Sequence, residues 1–395
     1  MAVRVIGMLS GTSYDGVDAL VCDLDLDGDA LVCDLVAHRA AAYPEELRRS
    51  IAAVLPPAET TIEAVCRLDV ELGGFFGALV AGLEAAHGPA EVVCSHGQTV
   101  YYWVDATTTR GTLQLGQPAF IAERTAASVV SDVRNRDIAA GGNGAPLASL
   151  LDLLLLPADG PEVVGSLNLG GIANVTVLGG GRTPIAYDIG PANALIDAAV
   201  DWVTGGRAHF DRDGALAASG APDAGLVAAL CDDPYFDVPP PKGTGKELFN
   251  LDYLTSRLAG RSLAPADLVA SVTEATAAVV AGSLATHGLD ALYAAGGGVR
   301  NPTLMAALAH RLPGVPIRPV DELGVPEAAK EALLFAVVGF LTAHGIPATV
   351  PSCTGASRPT VLGSVTPGAA PLPARHPARP APRRLVVRSR LDARG

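Results

Sequence analysis

Residues suited to holding a phosphate stand together early in the chain, in the run Ser10-Gly11-Thr12-Ser13-Tyr14-Asp15-Gly16-Val17-Asp18. Small residues let backbone approach an anion, and amide and hydroxyl groups in such a turn can donate to phosphate oxygens. Asp15 or Asp18 is placed to reach a metal-bound water. A hairpin turn held by its own Ser, Thr and Asp hydrogen bonds would use the same residues. Asn168-Leu169-Gly170-Gly171-Ile172-Ala173-Asn174 repeats the logic later, and a polyphosphate cradle needs donors from both sides. Taken alone, Gly170 and Gly171 serve equally well as a bulge or tight bend.

A third run, Tyr187-Asp188-Ile189-Gly190-Pro191-Ala192-Asn193, reads as a strand end, a turn and a helix opened by Asn193. A general base must be within hydrogen-bond reach of its proton and fixed on a rigid element, which makes Asp188 the candidate base. The competing role for Asp188 is a helix N-cap. Gly296-Gly297-Gly298, after a strand at Ala291 to Ala295, would let a flat group such as adenine lie on backbone; a plain helix-entry loop is the alternative. Lys242-Gly243-Thr244-Gly245-Lys246-Glu247 resembles a P-loop ending but lacks the first glycine, the Ser/Thr after the lysine and the flanking strand. Its lysines either touch a ligand or sit in a solvated loop. His96, Arg136, Asp137 and Glu331 are single residues to which spacing alone gives no more than a structural role. The chain has no G-x-S-x-G elbow and no zinc-type histidine spacing.

The elements that must position these residues form two similar runs. Strands at Val3 to Leu9, Val17 to Asp23 and Ala30 to Val36 make a meander, followed by helices at Glu45 to Val54 and Ile62 to His87. A buried strand, Glu91 to Ser95, is expected to end at His96-Gly97-Gln98-Thr99, where open α/β sheets place ligands. A helix near Pro118 to Ala127 and a strand Ser128 to Val133 lead to Arg134-Asn135-Arg136-Asp137 and the glycine-rich Ala139 to Gly144. Strand-turn-strand then begins again at Val163 to Leu178, so the two glycine turns hold the same place in each half. This predicts an α/β protein of two domains with a central cleft. The first, 1–144, is joined by a late helical segment near 327–365, and the second spans 145–326. The segment 366–395, rich in Pro, Ala and Arg, is expected to be a disordered tail outside the fold.

Bulk composition narrows the classes. The chain has 395 residues, 49% hydrophobic and 17% charged, enough for large cores and about two domains. A formal charge of -13 with only 28 Lys and Arg argues against nucleic-acid or anionic-membrane partners. Six scattered cysteines show neither C-x-x-C nor metal-ligand spacing and are expected to be reduced core thiols. The opening residues run straight into a strand without an export signal, and the apolar stretches Leu147 to Leu156 and Ala332 to Leu341 are too short to span a bilayer. A cytoplasmic protein is expected.

Two glycine hairpins, an acidic strand end and a late glycine loop, in that order, resemble the actin, hexokinase and sugar-kinase superfamily. Gly7 to Asp18, Ser95 to Thr99, Ala139 to Leu147, Asn168 to Asn174, Asp188 to Asn193 and Lys242 to Asn250 are similar, in sequence and order, to the anhydro-N-acetylmuramic acid kinases. The resemblance runs from around residue 5 to around residue 364. Tyr14 stands where leucine is expected, Asn143 where glutamine is, and Ala192 where glycine is usual; Asn143 is the departure that bears on substrate contacts.

The resemblance implies two actin-like, ribonuclease H-like domains. It implies ATP held through Gly11, Thr12, Ser13, Tyr14, Asp15, Gly16, Val17, Asp18, Asn168, Gly170, Gly171, Asn174, Gly296, Gly297 and Gly298, with Mg²⁺ bridging the phosphates. Asp188 would activate a water that opens the 1,6-anhydro bridge of 1,6-anhydro-N-acetylmuramic acid, and the freed O6 would take the γ-phosphate. His96, Gln98, Arg136, Asp137 and Glu331 would face this small-molecule substrate, and a homodimer is the family's habit. A kinase for another amino sugar and a non-enzymatic actin-like ATP-binding protein are the alternatives, since fold alone does not fix function.

Overall fold

The structure, a computed structural model, describes residues 2–11, 14–105, 108–245, 248–369, 372, 381–389 and 391. Thr12 and Ser13 of the first glycine turn, and Lys246 and Glu247, lie outside the described residues.

The chain opens as the expected meander, with β1 (Val3–Ser10), β2 (Gly16–Asp27) and β3 (Ala30–Ala42) as antiparallel neighbours. β1 lies inside its sheet with both faces covered, so it reads as an apolar run and not as an alternation. Val3, Val5 and Leu9 enter one buried cluster, Ile6 and Met8 another. α1 (Glu45–Val54) and α2 (Ile62–His87) follow at the expected bounds. Thr61 caps α2 by accepting from the Ala64 amide at 3.1 Å. Next come β4 (Val92–Asp105), β5 (Thr108–Leu115), α3 (Pro118–Thr125), β6 (Ser128–Ser131), α4 (Asn135–Ala139) and α5 (Ala148–Leu155).

One strand differs from expectation. β4 does not stop at the polar cluster but runs through His96 to Thr99 and pairs with β5 as far as Asp105. A bulge makes this possible: Met8 faces Ser95 and Ser10 faces Gln98 across the parallel β1–β4 ladder, and Gly97 takes φ +77 between them. His96 and Gln98 stay buried in the strand because hydrogen bonds within the fold satisfy their polar atoms.

Residues Pro157–Glu322 form a unit of their own. It contains β7 (Val163–Leu169), β8 (Ile172–Gly179), β9 (Ile185–Pro191), α6 (Asn193–Thr204), α7 (Ala215–Ala218), α8 (Ala224–Cys231), α9 (Leu251–Leu258), α10 (Pro265–Ala285), β10 (Ala291–Ala295), α11 (Pro302–Arg311) and β11 (Ile317–Pro319). Its sheet has the order β11-β10-β7-β8-β9, antiparallel from β7 to β9 and parallel from β7 through β10 to β11. α10 is long and apolar enough to cross a membrane by composition, yet 67% of its most apolar stretch is buried inside the unit.

The chain then returns to the first unit, Met1–Leu156 with Leu323–Gly395, through α12 (Lys330–Ala343), α13 (Pro351–Thr354), β12 (Ser364–Thr366) and β13 (Arg384–Ser389). α12 lies directly on β1: a Cβ on Gly7 would stand 2.1 Å from the Ala332 carbonyl oxygen and 2.3 Å from the Ala336 nitrogen. The first sheet runs β12-β6-β4-β1-β2-β3-β13, with β5 attached to β4. Without its added edge strands, its order β3-β2-β1-β4-β6 repeats β9-β8-β7-β10-β11 of the second unit. This is the ribonuclease H-like plan, present twice.

Three expectations need correcting. The first unit extends past residue 144 to Leu156, because Leu147, Leu151 and Leu154 enter its core and Asp152 of α5 meets Lys330 of α12 at 2.9 Å. The segment from 366 onward is not all outside the fold. Leu385-Val386-Val387 within β13 pair in parallel with β3, covering an edge whose amides and carbonyls would otherwise be open. All six cysteines are free, but Cys66 is exposed and Cys231 half-buried, so only four are core thiols.

Candidate active site

In the first unit the β1–β2 turn is held from below by a buried side-chain network. Ser10 Oγ and Gln98 Oε1 are 2.5 Å apart, the Tyr43 hydroxyl donates to Ser10 Oγ at 2.8 Å, and Gln98 Nε2 donates to the Gly11 carbonyl at 3.3 Å. Ser10, Gln98 and Tyr43 are all buried. Above them the turn closes through the Tyr14 amide to the Gly11 carbonyl at 3.2 Å, with Tyr14 itself at φ 44. Gly16 is required where β2 starts, since a Cβ there would meet the Ala41 carbonyl oxygen at 2.4 Å. Val17 points into the core, whereas Asp15 is exposed and Asp18 partly so. Among the described residues of this turn, the groups open to a ligand include the Asp15 and Asp18 carboxylates.

A second network surrounds His96. Arg134 Nε donates to His96 Nε2 at 2.7 Å, which leaves Nδ1 as the protonated nitrogen, and it meets the Gly97 carbonyl at 2.8 Å. Burial first, and then the Arg134 charge, hold the His96 pKa well below the usual histidine range, so this imidazole stays neutral. Arg134 Nη1 also donates to the Gly144 carbonyl at 2.7 Å. Asp137 is fully buried, accepting from the Gly144 amide at 2.8 Å and the Thr354 hydroxyl at 2.7 Å. Its pKa is raised by desolvation, against the pull of those two donors and Arg134. A Cβ on Gly142 would fall 2.2 Å from this carboxylate, so the glycine run is wrapped around Asp137. Asn143 Oδ1 accepts from the Thr109 amide at 3.2 Å, tying the same loop to β5.

Glu331, in the first turn of α12, is open to solvent yet crowded enough that desolvation raises its carboxyl pKa. The charge of Asp18 raises it further, while Lys330 and Arg134 act in the other direction. Lys330, paired with buried Asp152, anchors the helix end that carries Glu331. Arg136 is exposed.

In the second unit the polar residues line up. Asn168 pairs with Asn174 across β7 and β8, and Asn174 with Asp188 across β8 and β9, so their side chains share one face of the sheet. All three are half-buried in strands that are otherwise mostly buried. A bulge follows Asp188, because Ala173 already faces Gly190, and it re-aims the strand end. Asp188 does not cap α6: its Oδ2 accepts from the Thr244 amide at 3.0 Å. The amides of Ala192, Asn193 and Ala194 donate instead to the Gly170 and Gly171 carbonyls, each at 3.0 Å, so the opening of α6 holds the β7–β8 turn. Asn193 Nδ2 donates to the Leu169 carbonyl at 3.0 Å. The 296–298 loop presses on the same spot: Cβ atoms on Gly296 and Gly298 would lie 2.6 Å from Asn168 Oδ1 and 2.7 Å from Leu169 Cβ. Asn168, Gly170, Gly171 and Gly296 to Gly298 thus converge at one end of the second sheet.

Of the residues singled out from the sequence, His96, Gln98 and Asp137 have polar atoms engaged in building loops, while Glu331 and Arg136 reach solvent. Arg134, Thr354, Tyr43 and Thr244 were not singled out. Arg134 sits two residues from Arg136 in the run that drew attention, but the sequence alone does not tell which arginine turns inward. Thr354 acts from a distant segment that carries no local signal, and Thr244 lies in the P-loop-like run, where the lysines drew attention.

Two ribonuclease H-like units, each with a turn between its first two strands and one with a glycine loop pressed against that turn, define the fold class of the actin-like sugar kinases. The chain belongs to the anhydro-N-acetylmuramic acid kinase family, whose sequence pattern matches residues 3–368. The anhydro-N-acetylmuramic acid kinase of Streptomyces coelicolor is 52% identical over 388 residues, covering 98% of this chain and 99% of its own. That of Rhodococcus erythropolis is 51% identical over 381 residues, covering 94% and 96%. That of Acaryochloris marina, more distant, is 39% identical over 378 residues, covering 92% and 99%.

Proposed function

We propose that the protein is an ATP-dependent kinase that opens the 1,6-anhydro ring of 1,6-anhydro-N-acetylmuramic acid with water and phosphorylates O6, giving N-acetylmuramic acid 6-phosphate and ADP in peptidoglycan recycling. The row Asn168, Asn174, Asp188, ending in a carboxylate at a strand bulge, is the observation that carries this reading. Asp188 takes a proton from water as the water oxygen bonds to the anomeric carbon. The bond from that carbon to O6 breaks, and O6 displaces ADP from the γ-phosphorus. ATP is held by the turn from Gly11 to Asp18, by Asn168 to Asn174 and by the loop Gly296 to Gly298, the last offering backbone to adenine. His96, Gln98 and Asp137 shape the sugar site, and Arg136 and Glu331 supply its direct contacts. The need for ATP and a wall-derived sugar fits a cytoplasmic enzyme.

Mg²⁺ is bound by one or two carboxylates together with substrate phosphates, not by a protein cage. The first unit fits that demand with two carboxylates on one turn: Asp15 is exposed and Asp18, 3.2 Å from His38 Nε2, is partly so. Asp15 and Asp18 would hold the ion or its waters, and when bound it would neutralise charge on the transferred phosphoryl group.

The test is coupled ADP release with Mg²⁺-ATP and either the anhydro sugar, N-acetylmuramic acid or N-acetylglucosamine, in wild type and Asp188→Asn. Turnover confined to the anhydro sugar, with kcat lowered about 10²- to 10⁴-fold in the variant, is expected. Turnover on a sugar without the anhydro bridge, or an active variant, overturns the substrate or the base.

A further inference from the structure

One segment of the second unit makes three separate bonds to Asp188. The Asp188 amide donates to the Lys242 carbonyl at 3.0 Å, the Thr244 amide donates to Asp188 Oδ2 at 3.0 Å, and the Tyr235 hydroxyl donates to the Asp188 carbonyl at 2.7 Å. Lys242 then ties the segment to itself: its Nζ donates to the Tyr235 and Phe236 carbonyls at 3.0 and 3.1 Å and lies 4.5 Å above the Tyr235 ring. Lys242, which the sequence left as either a ligand contact or part of a solvated loop, is thus spent inside the loop, and burial lowers its pKa.

The segment is also anchored. Phe236 stacks on Phe249 at 5.8 Å, Tyr235 meets Phe249 edge-on at 5.8 Å, and Phe249, fully buried, contacts Tyr253 at 5.1 Å. Gly190 gives Phe236 its room, since a Cβ there would approach the ring to 2.8 Å. Two aromatic rings fixed in a core and three bonds to one residue are more than a solvated loop requires.

We propose that residues Tyr235 to Thr244 form a strap whose Thr244 amide and Tyr235 hydroxyl hold Asp188 in its working orientation, so that the P-loop-like run serves the base and not the phosphates. This rests on Asp188 being the base. A backbone amide at Oδ2 favours the charged carboxylate and fixes its plane. It does so without depending on the identity of the side chain at residue 244. Thr244 and Tyr235 are positioning residues in this scheme.

The test compares Thr244→Pro, which lacks the amide hydrogen, with Thr244→Ala, which keeps it, and with Tyr235→Phe. For Thr244→Pro, kcat is expected to fall about 10²-fold, the loss that a misplacement near 1 Å brings. The acid limb of its kcat/KM profile moves to higher pH, because the charged carboxylate has lost a donor. Thr244→Ala keeps the wild-type limb, and Tyr235→Phe lowers kcat with KM little changed. Replacing Thr244 by its α-hydroxy acid removes the same hydrogen without a proline ring and is read the same way if Thr244→Pro unfolds. Asp188→Asn separates the two claims. Full turnover in that variant sinks the base assignment itself. An inactive Asp188→Asn beside a Thr244→Pro or ester variant with unchanged kcat and acid limb sinks the strap alone.

Discussion

Replacing Arg134 by Met tests whether the network around His96 and Asp137, which the proposed function assigns to the sugar, is built the way the distances indicate. Arg134 makes two hydrogen bonds at 2.7 Å, to His96 Nε2 and to the Gly144 carbonyl, and its charge bears on Asp137 and Glu331. A bond to a charged donor is worth about 1.5–3 kcal/mol net, and leaving a buried acceptor bare costs more than losing an exposed one. His96 and Gly144 are both buried, and the lower end of that range for two bonds gives about 3 kcal/mol in total. For a unit of this size that lowers Tm by about 6–12 °C. Arg134→Lys should recover little, because one ammonium cannot reproduce two bonds made from the fixed fork of a guanidinium. Losing the cation also has a signed electrostatic effect. It no longer opposes protonation of His96, whose pKa rises, and no longer favours the carboxylate forms of Asp137 and Glu331, whose pKa values rise too. Thermal denaturation, histidine titration by NMR and ADP-release kinetics read these effects, with KM for the sugar rising at least about tenfold as the His96 and 139–144 backbone loosens. A variant with wild-type Tm, His96 titration and KM would refute the network as a determinant of the site.

Two further outcomes follow from the fold. Gly7→Ala places a methyl 2.1 Å from the Ala332 carbonyl oxygen and 2.3 Å from the Ala336 nitrogen, both backbone atoms of α12, so the helix must move; a loss of about 3 kcal/mol or more and a matching fall in expression and Tm are expected, and a stable Gly7→Ala protein would mean that α12 can shift freely on β1. Ending the chain at residue 369 removes β13 and bares the outer edge of β3 from Ala30 to Leu35; lower Tm and concentration-dependent association by light scattering are expected, and a monomeric protein of unchanged Tm would show that the edge needs no cover.

How far the sequence could be read depended on whether a signal was local. Helices α1 and α2 and strand β10 fall at the expected bounds because apolar periodicity, a capping Thr61 and flanking Gly or Pro all act within a few residues. The repeated meander was legible for the same reason, and so was a strand carrying Asp188, although β9 runs on past it to Pro191 and does not end there. The end of β4 was not. A run such as Ser-His-Gly-Gln-Thr reads as a loop, and only buried partners from elsewhere, Arg134 for His96 and Ser10 for Gln98, make it a strand. β13 was missed because the composition of the 366–395 segment outweighed three apolar residues within it, whose value depends on the open edge of β3. The boundary near 144 failed similarly, since the side of α5 that is buried is decided by α12, more than 170 residues later in the chain. Within the site, Thr244 could not have been found from residue type, because it acts through an amide that every residue except proline carries.

The two glycine turns occupy equivalent places in equivalent sheets, yet they are supported in opposite ways. Below the β1–β2 turn the support is made of side chains, Ser10, Gln98 and Tyr43, with Gln98 donating to the Gly11 carbonyl. Behind the β7–β8 turn it is backbone: the first amides of α6 donate to the carbonyls of Gly170 and Gly171. A turn whose carbonyls are drawn back by a helix N-terminus points its own amides the other way, and the helix dipole adds to the positive potential there. In the proposed function the second turn is therefore the better suited of the two to an anion, and sequence changes around α6 that keep the helix leave its support intact. At its described residues the first turn is held by three buried polar side chains, any one of which loses its partners on substitution. Gln98, buried and two strands away from β2, therefore belongs to the support of the β1–β2 turn through its bonds to Ser10 and to the Gly11 carbonyl.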